Sequence, residues 1–405
     1  MHSRWLKLPD DFHVPKLPAW LTDLAYDPKV RARVAQGILL LALLLLAYEI
    51  VTNTAANLKK QNIASGFGFL DRTAGFDVSQ TLIDYNSKMS YARAFLVGLA
   101  NTLLVAVLGI IAATILGFAI GIARLSSNWL VARLALVYVE IVRNVPVLLQ
   151  LLVWYVAALR ALPMPQESLA LGGGTYLDVR GLHLPRPVIP DGFGWALLFI
   201  LAIGIAAILW LRRWAARRRI ETGQQFPVFW SSLALITLPP LALFISAGAP
   251  LSFDYPALGR FNFAGGLTIE PEFMALLVGL SVYTAAFIAE IVRSGIAGVP
   301  RGQKEAAAAL GLTRTQALRL VIVPQAIRII IPPLTNQYLN LTKNSSLAVA
   351  IGYPDLVSVF AGTVLNQTGQ AVEVILITMA VYLAFSLATA LAMNVFNARM
   401  AIVER

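Results

Sequence analysis

Long apolar stretches alternate with shorter polar stretches along the chain. Eight of the apolar stretches are long enough to cross about 30 Å of hydrocarbon at about 1.5 Å per helical residue. They lie near residues 35–54, 94–123, 134–159, 194–211, 228–247, 272–296, 328–350 and 373–396. This pattern predicts an all-α, polytopic membrane protein with about eight transmembrane helices.

The composition agrees with this prediction. Apolar residues make up 58% of the 405 residues and charged residues 13%, whereas soluble domains are about 45–50% apolar and about 25% charged. The chain is therefore predicted to be neither a soluble enzyme nor a disordered protein. It has no cysteine and only three histidines, which argues against a thiol nucleophile and a metal centre. The histidines are His2, His13 and His183.

The net charge of +11 is distributed unevenly among the polar segments. If the N-terminus lies inside, the inside segments hold 21 lysines and arginines and the outside segments hold nine. The positive-inside rule therefore predicts that both termini are cytoplasmic. The densest basic run is better explained as a stop-transfer signal that binds lipid phosphates than as a nucleic-acid site. It consists of Arg212, Arg213, Arg217, Arg218 and Arg219.

Two outside segments are rich in glycine and proline, and they flank an apolar hairpin at 194–247. The segments are 161–193, with a strand-like stretch from Tyr176 to Leu184, and 248–271. We interpret the hairpin and its flanks as an insertion into a simpler core. The two segments are either connecting loops or a docking surface for an external partner.

The longest inside loop between spans predicts two short helices parallel to the membrane. Pro300 precedes the first helix and Gly311 ends it, because a left-handed conformation costs glycine little. Thr313 begins a capping box for the second helix, and Pro324 is expected to break it. The first helix carries four consecutive alanines, so a partner protein can approach it closely.

This loop resembles the EAA loop of ABC-importer permeases. The matching positions are Glu305, Ala306, Ala307, Gly311, Val321, Val323 and Pro324, with valine at the two aliphatic positions where the family has isoleucine and leucine. Residues 94–160 and 272–396 resemble the five-span core of polar-amino-acid permeases. Three motifs carry that likeness: EIVRNVP (140–146), AEIVRSGI (289–296) and LNLTKNSSLAVAIGYPDLV (339–357). The whole chain is similar to the larger permease subunit of general L-amino-acid importers.

The resemblance implies a four-part organisation. The parts are a cytoplasmic N-terminus with a first anchor and a periplasmic segment (1–93), the first part of the core (94–160), the insertion (161–271), and the second part of the core (272–405) with its coupling loop (298–330).

The resemblance also implies a function and partners. The chain would be a permease subunit in the bacterial inner membrane that imports L-amino acids by alternating access. Its partners would be a homologous second permease, two ATP-binding subunits, a periplasmic amino-acid-binding protein and membrane lipid, but no nucleic acid. The chain has no G-x-x-x-x-G-K-[ST] phosphate loop. No enzymatic activity and no cofactor are therefore expected in this chain, and ATP and magnesium belong to the partner ATPase.

A polar stripe interrupts the seventh predicted span. Its residues fall within an arc of about 120° on a helix, and they cannot face lipid at acceptable cost. The stripe is Asn336, Gln337, Asn340, Lys343 and Asn344. It either lines the transport path, with Lys343 near a substrate carboxylate, or joins paired permeases in a hydrogen-bonded network.

Two spans carry the same tetrapeptide, Glu-Ile-Val-Arg, with Glu140 and Arg143 in one and Glu290 and Arg293 in the other. Each Glu and Arg stand three residues apart, where they can pair on a helix face. The pairs either neutralise charge near the headgroups or form a cytoplasmic gate. Separately, Gly117 and Gly121 predict a close helix contact.

Three alternatives stay open. The same architecture could serve glutamate, glutamine, aspartate and asparagine alone. An ion-coupled secondary transporter would need deep carboxylates, but Glu140 and Glu290 each have an arginine nearby. A membrane-embedded enzyme would need a catalytic motif that the sequence does not contain.

Overall fold

The computed structural model describes residues 27–61, 65–188, 190, 192–248 and 252–400. The ends of both predicted cytoplasmic termini, 1–26 and 401–405, lie outside the described residues. Within the described part, seven helices are long and apolar enough to cross a membrane, and a bent pair of helices raises the number to eight. The prediction of about eight spans in a helical membrane protein is therefore confirmed.

The helices run in the following order. They are α1 (Pro28–Lys60), α2 (Tyr91–Ala123), α3 (Trp129–Asn144), α4 (Val147–Ala161), α5 (Phe193–Thr222), α6 (Val228–Ser246), α7 (Pro271–Ala297), α8 (Arg301–Ala309), α9 (Arg314–Ala317), α10 (Val323–Asn344), α11 (Leu365–Thr368) and α12 (Ala371–Met400). Short 3₁₀ turns occur at Phe67–Asp71, Pro165–Glu167 and Ser345–Ile351, and π-helical turns at Leu318–Ile322 and Val357–Val364.

The contacts divide the chain into two compact units. The first comprises Met1–Phe69 and Gln367–Glu373, and the second comprises Leu70–Asn366 and Val374–Arg405. In the first unit, α1 begins at the cap residue Asp27, whose carboxylate accepts from the backbone N–H of Lys29 at 2.8 Å. No residue of α1 is buried, as expected of a helix that meets lipid along its length.

In the second unit, α7 lies at the centre of the core and packs against α2, α4 and α10. Small residues permit the closest of these contacts. A methyl group at Gly117 would lie 2.5 Å from Cβ of Ile288, and one at Gly121 would lie 2.8 Å from the carbonyl oxygen of Ala289. The close helix contact that the sequence predicted at these two glycines is therefore present between α2 and α7.

The predicted span 134–159 is not straight. The chain bends by 107° between α3 and α4, at Val145 and Pro146. Proline has no backbone N–H to donate and disfavours helical geometry in the residue before it, and Val145 is accordingly extended. The amide of Gln150 binds the carbonyl oxygens of Val142 and Val145 at 2.8 and 2.9 Å, which holds the bend.

Among the residues that the structure describes, eight short strands lie in the two outside segments, so the helical protein also has a small β-structured part. The strands are β1 (Leu169–Gly172), β2 (Thr175–Asp178), β3 (Gly181–Leu184), β4 (Arg186–Val188), β5 (Ser252–Asp254), β6 (Ala257–Leu258), β7 (Phe263–Ala264) and β8 (Leu267–Ile269). The strand-like stretch that the sequence indicated forms β2 and β3. Antiparallel pairs β3–β8 and β4–β5 join the segment before the hairpin to the segment after it.

Candidate functional site

The predicted coupling loop begins with α8, a nine-residue helix. It ends in a Schellman motif, in which the N–H of Leu312 binds the carbonyl of Ala307 at 3.1 Å and the N–H of Gly311 binds that of Ala308 at 2.9 Å. Gly311 has φ of +73°, a conformation that L side chains rarely adopt. The prediction that Gly311 ends this helix is confirmed.

The two faces of α8 differ in exposure. Ala307 is buried against the protein, whereas Glu305 and Ala306 point outward. Leu310 is 80% exposed at the end of the helix, and the sequence prediction did not single it out. The sequence shows a leucine after a row of alanines, but the exposure of its side chain depends on the fold. The outward face of α8 is thus small, with one protruding apolar side chain.

The second part of the loop departs from the prediction. Thr313 and Gln316 form the expected capping box, with the N–H of Thr313 on Oε1 of Gln316 at 2.9 Å. However, Pro324 does not break the helix, because α9 continues through the π turn Leu318–Ile322 into α10. The wider π turn removes the hydrogen bond that a proline could not make. Pro332 and Pro333 also lie within α10.

The polar stripe on α10 contributes to a cavity of about 260 Å³. Three of its five residues, Gln337, Asn340 and Asn344, line the cavity. The opposite wall comes from α7 and consists of Tyr283, Thr284 and Phe287. In the described part of the chain, no hydrogen bond engages the three side-chain amides. Their donors and acceptors are therefore available to a molecule in the cavity.

The other two stripe residues, Asn336 and Lys343, are exposed and do not line this cavity. A different cation contacts its wall. The guanidinium carbon of Arg143 lies 5.2 Å from the ring centre of Phe287, within the range of a cation–π contact. The sequence could not place Arg143 here, because the sharp bend after α3 determines where that helix end lies.

One of the two predicted ion pairs forms. Nε of Arg293 lies 3.2 Å from Oε1 of Glu290, and the guanidinium of Arg124 also binds this carboxylate. Arg124 ends α2, so the cluster joins α2 to α7, a link that the sequence prediction missed. Within the described residues Glu140 and Arg143 form no salt bridge, so the first predicted pair is wrong. Arg143 instead contacts Phe287.

On the outside, His183 lies in a closed network. Its Nε2 is 3.1 Å from Asp178, its Nδ1 is 3.0 Å from Thr268, and its ring stacks on Phe263. Both ring nitrogens are thus engaged in holding the β-structured part together. In the described part of the chain, no group of three or more His, Cys, Asp or Glu residues could hold a metal ion.

Comparison with known proteins relates these features to one family. The family model described as the binding-protein-dependent transport system inner membrane component matches residues 200–402. The general L-amino acid transport system permease protein AapQ of Rhizobium johnstonii is 54% identical, over 94% of this chain and 94% of its own length. The glutamate/glutamine/aspartate/asparagine transport system permease protein BztB of Rhodobacter capsulatus is 41% identical, over 96% and 98%.

Among solved structures, one is described as an amino acid ABC transporter crystallised with histidines. It matches 76% of this chain and 95% of its own, at 23% identity and a TM-score of 0.45.

Proposed function

The chain belongs to the family of binding-protein-dependent transport system inner membrane components, and from this premise we propose how it works as the permease subunit of an amino-acid ABC importer. It moves L-amino acids from the periplasm to the cytoplasm by alternating access. ATP, with magnesium, is bound and hydrolysed by two partner subunits. A second, homologous permease completes the channel, and a periplasmic binding protein delivers the substrate.

The geometry of α8 supports the proposal that force enters through this loop. The Schellman motif fixes the end of α8, and the side chain of Gln303 binds that of Gln325 on α10 at 3.0 Å. A partner that pushes on α8 therefore moves α10 with it. Because α10 is continuous with α9 through the π turn, displacement of the loop reaches the polar cavity along one helix. Glu305, Ala306, Ala307, Gly311 and Pro324 are the proposed coupling residues.

A substitution at Leu310 tests this proposal. Because its side chain is 80% exposed, Leu310→Gln leaves the packing of the permease intact. We expect the variant to co-purify with less ATPase subunit and to lose most of the substrate-stimulated ATP hydrolysis. Ile220, which is 86% exposed at the end of α5, offers a matched control, and Ile220→Gln should behave like wild type. Normal coupling in the Leu310 variant would contradict the assignment.

The amide-lined cavity supports a role in the transport path. Amide groups can both donate to a substrate carboxylate and accept from an ammonium group. The three side-chain amides make no hydrogen bond within the described part of the chain, so they are available to bind both groups of an amino acid. Asn336 and Lys343 extend the same stripe on the exposed side, where the second permease would face them.

The cluster of Glu290 with Arg124 and Arg293 supports a gate at the cytoplasmic end. It fastens the end of α2 to α7 on the side where the positive-inside rule places the cytoplasm. Because Glu290 lies on α7 and Arg124 lies at the end of α2, a movement of α7 relative to α2 would break the ion pair between them, and the reverse movement would re-form it.

We also propose a broad substrate range, on the strength of the greater identity to the general L-amino acid permease than to the glutamate-type permease. Uptake by the reconstituted complex should be measured for each of the twenty amino acids. Transport of basic and apolar amino acids is the expected result. Transport confined to glutamate, glutamine, aspartate and asparagine would favour the narrower alternative.

A further inference from the structure

The inserted hairpin ends on one side in a basic overhang. The helix α5 has 30 residues and α6 has 19, so at about 1.5 Å per residue α5 is longer than its neighbour by roughly 16 Å. The overhang carries five arginines within eight residues, and it ends at Gly223, which has φ of +72°. The basic residues are Arg212, Arg213, Arg217, Arg218 and Arg219.

The charge of this overhang is not neutralised by the rest of the described chain. None of the five arginines forms a salt bridge with a described residue. Arg218 donates to Oε1 of Gln224 at 2.9 Å and lies over the ring of Trp214 at 5.3 Å, and neither partner carries charge. A local charge of this density attracts an anion.

A cavity of about 250 Å³ lies between the overhang and the start of α6. Its polar lining comes from Arg212, Arg219 and Gln225. Seven residues apart on a helix, the two arginines lie on nearly the same face. Its apolar lining consists of Ala215, Ala216, Phe226 and Val228. A lining that combines two guanidinium groups with apolar side chains matches a molecule with an anionic head and hydrocarbon chains.

The surroundings indicate lipid rather than protein. Trp210, Phe229 and Trp230 are exposed around this end of the hairpin, and aromatic side chains are enriched where the headgroups begin. The helices α5 and α6 pack on each other and form no extended contact with the core spans in the described part. The outer faces of both helices are apolar, so hydrocarbon chains can run along them.

We propose that this cavity binds an anionic phospholipid, with the phosphate between Arg212 and Arg219 and the acyl chains along α5 and α6. Guanidinium groups bind phosphate oxygens in a bidentate manner, and they are less strongly hydrated than ammonium groups. Basic pockets between helices on the cytoplasmic side are suited to such headgroups. The assignment of the lipid to the cytoplasmic leaflet depends on the proposed orientation of the chain. The proposed binding site does not depend on that orientation.

The test is a titration of phosphatidylglycerol into the detergent-solubilised complex, with bound lipid counted by native mass spectrometry. One variant, Arg212→Gln with Arg219→Gln, removes both arginines that line the cavity. A matched control, Arg213→Gln with Arg217→Gln, removes the same charge from another face of α5. We expect the apparent Kd to rise roughly 30-fold in the first variant and by no more than about threefold in the control.

Equal weakening in both variants would overturn the proposal, since diffuse attraction to any basic surface predicts it. An unchanged Kd in both variants would overturn it as well. A parallel titration with inorganic phosphate separates the two sources of the anion, and competition with phosphatidylglycerol at similar concentrations would identify a site for free phosphate instead. If cysteine labelling showed that residue 224 lies outside the cell, the proposed orientation of the chain would be wrong. The lipid titration would still test the binding site, so a wrong orientation and a wrong binding site are distinguishable.

Discussion

Single residues of this protein make two kinds of contact: Gly311 and Thr313 bond to residues close in the chain, whereas Glu290 and the polar cavity join residues that are far apart in it. The end of α8 at Gly311 and the capping box at Thr313 depend on neighbours within a few residues, so the sequence contains the whole signal. The wall of the polar cavity comes from α7, and no pattern in α10 indicates which helix faces it. For the same reason Arg124 was missed as a partner of Glu290.

Asn340 and Asn336 separate the two roles left open for the polar stripe. Asn340 lines the cavity and Asn336 does not, although both are exposed amides on one helix. If the stripe lines the path, Asn340→Ala should raise KM for uptake by about fivefold, the value of one lost hydrogen bond. Asn336→Ala should stay near wild type. A loss of assembly with the second permease, measured by size-exclusion chromatography, would instead favour the structural network.

Asp355 gives a prediction about pH. Its side chain is fully buried in the turn between the last two spans, where it accepts from the N–H of Ser358 at 2.8 Å and from the hydroxyl of Tyr382 at 3.3 Å. Burial raises the pKa of Asp355 to about 7, although the hydrogen bond from Ser358 acts in the opposite direction. The folded state therefore binds the proton more tightly than the unfolded chain, in which the pKa is about 3.9.

The resulting stabilisation is complete below pH of about 4 and is lost as the pH rises through about 7. The variant Asp355→Asn keeps an acceptor for Ser358 and cannot ionise. Its Tm relative to wild type should therefore rise between pH 5 and pH 8. A difference in Tm that does not change with pH would show that the ionised form of Asp355 carries no cost in the folded state.

At the scale of elements, the number and type of helices followed from the apolar pattern, but their bends did not. Pro146 and Pro324 are both prolines in a helical context, yet the chain turns by 107° at the first and stays continuous at the second. The difference lies in how the lost hydrogen bond is replaced. Gln150 caps the bend with its side chain, whereas a π turn absorbs Pro324.

The packing of α2 on α7 gives a prediction at this scale. A methyl group at Gly117 would collide with Ile288, so Gly117→Ala should destabilise the protein by about 1–3 kcal/mol. Gly37 in α1 has nothing within 4 Å of the same position, and Gly37→Ala should be neutral or slightly stabilising. Thermal unfolding of the purified complex measures both. Similar effects in the two variants would mean that helix propensity, and not packing, controls the contact.

At the scale of the whole molecule, the asymmetry of basic residues predicts the orientation in the membrane. This chain has no cysteine, so an introduced thiol would be the only one in it. A membrane-impermeant maleimide should label Leu171→Cys, in the exposed strand β1, in intact cells. Gln224→Cys, between α5 and α6, should react only after the membrane is opened. The reverse pattern would invert the topology.

The antiparallel ladders β3–β8 and β4–β5 have a consequence for how this chain could gain or lose its hairpin. They tie together the points at which the chain leaves for α5 and returns from α6, so the intervening residues depart and re-enter at nearly one place. Removing them would leave two ends already adjacent, and a short turn could close the gap at little entropic cost. We therefore expect that a chain in which a short turn joins β4 to β5 keeps the fold of the core spans, so that the hairpin can be removed as one block.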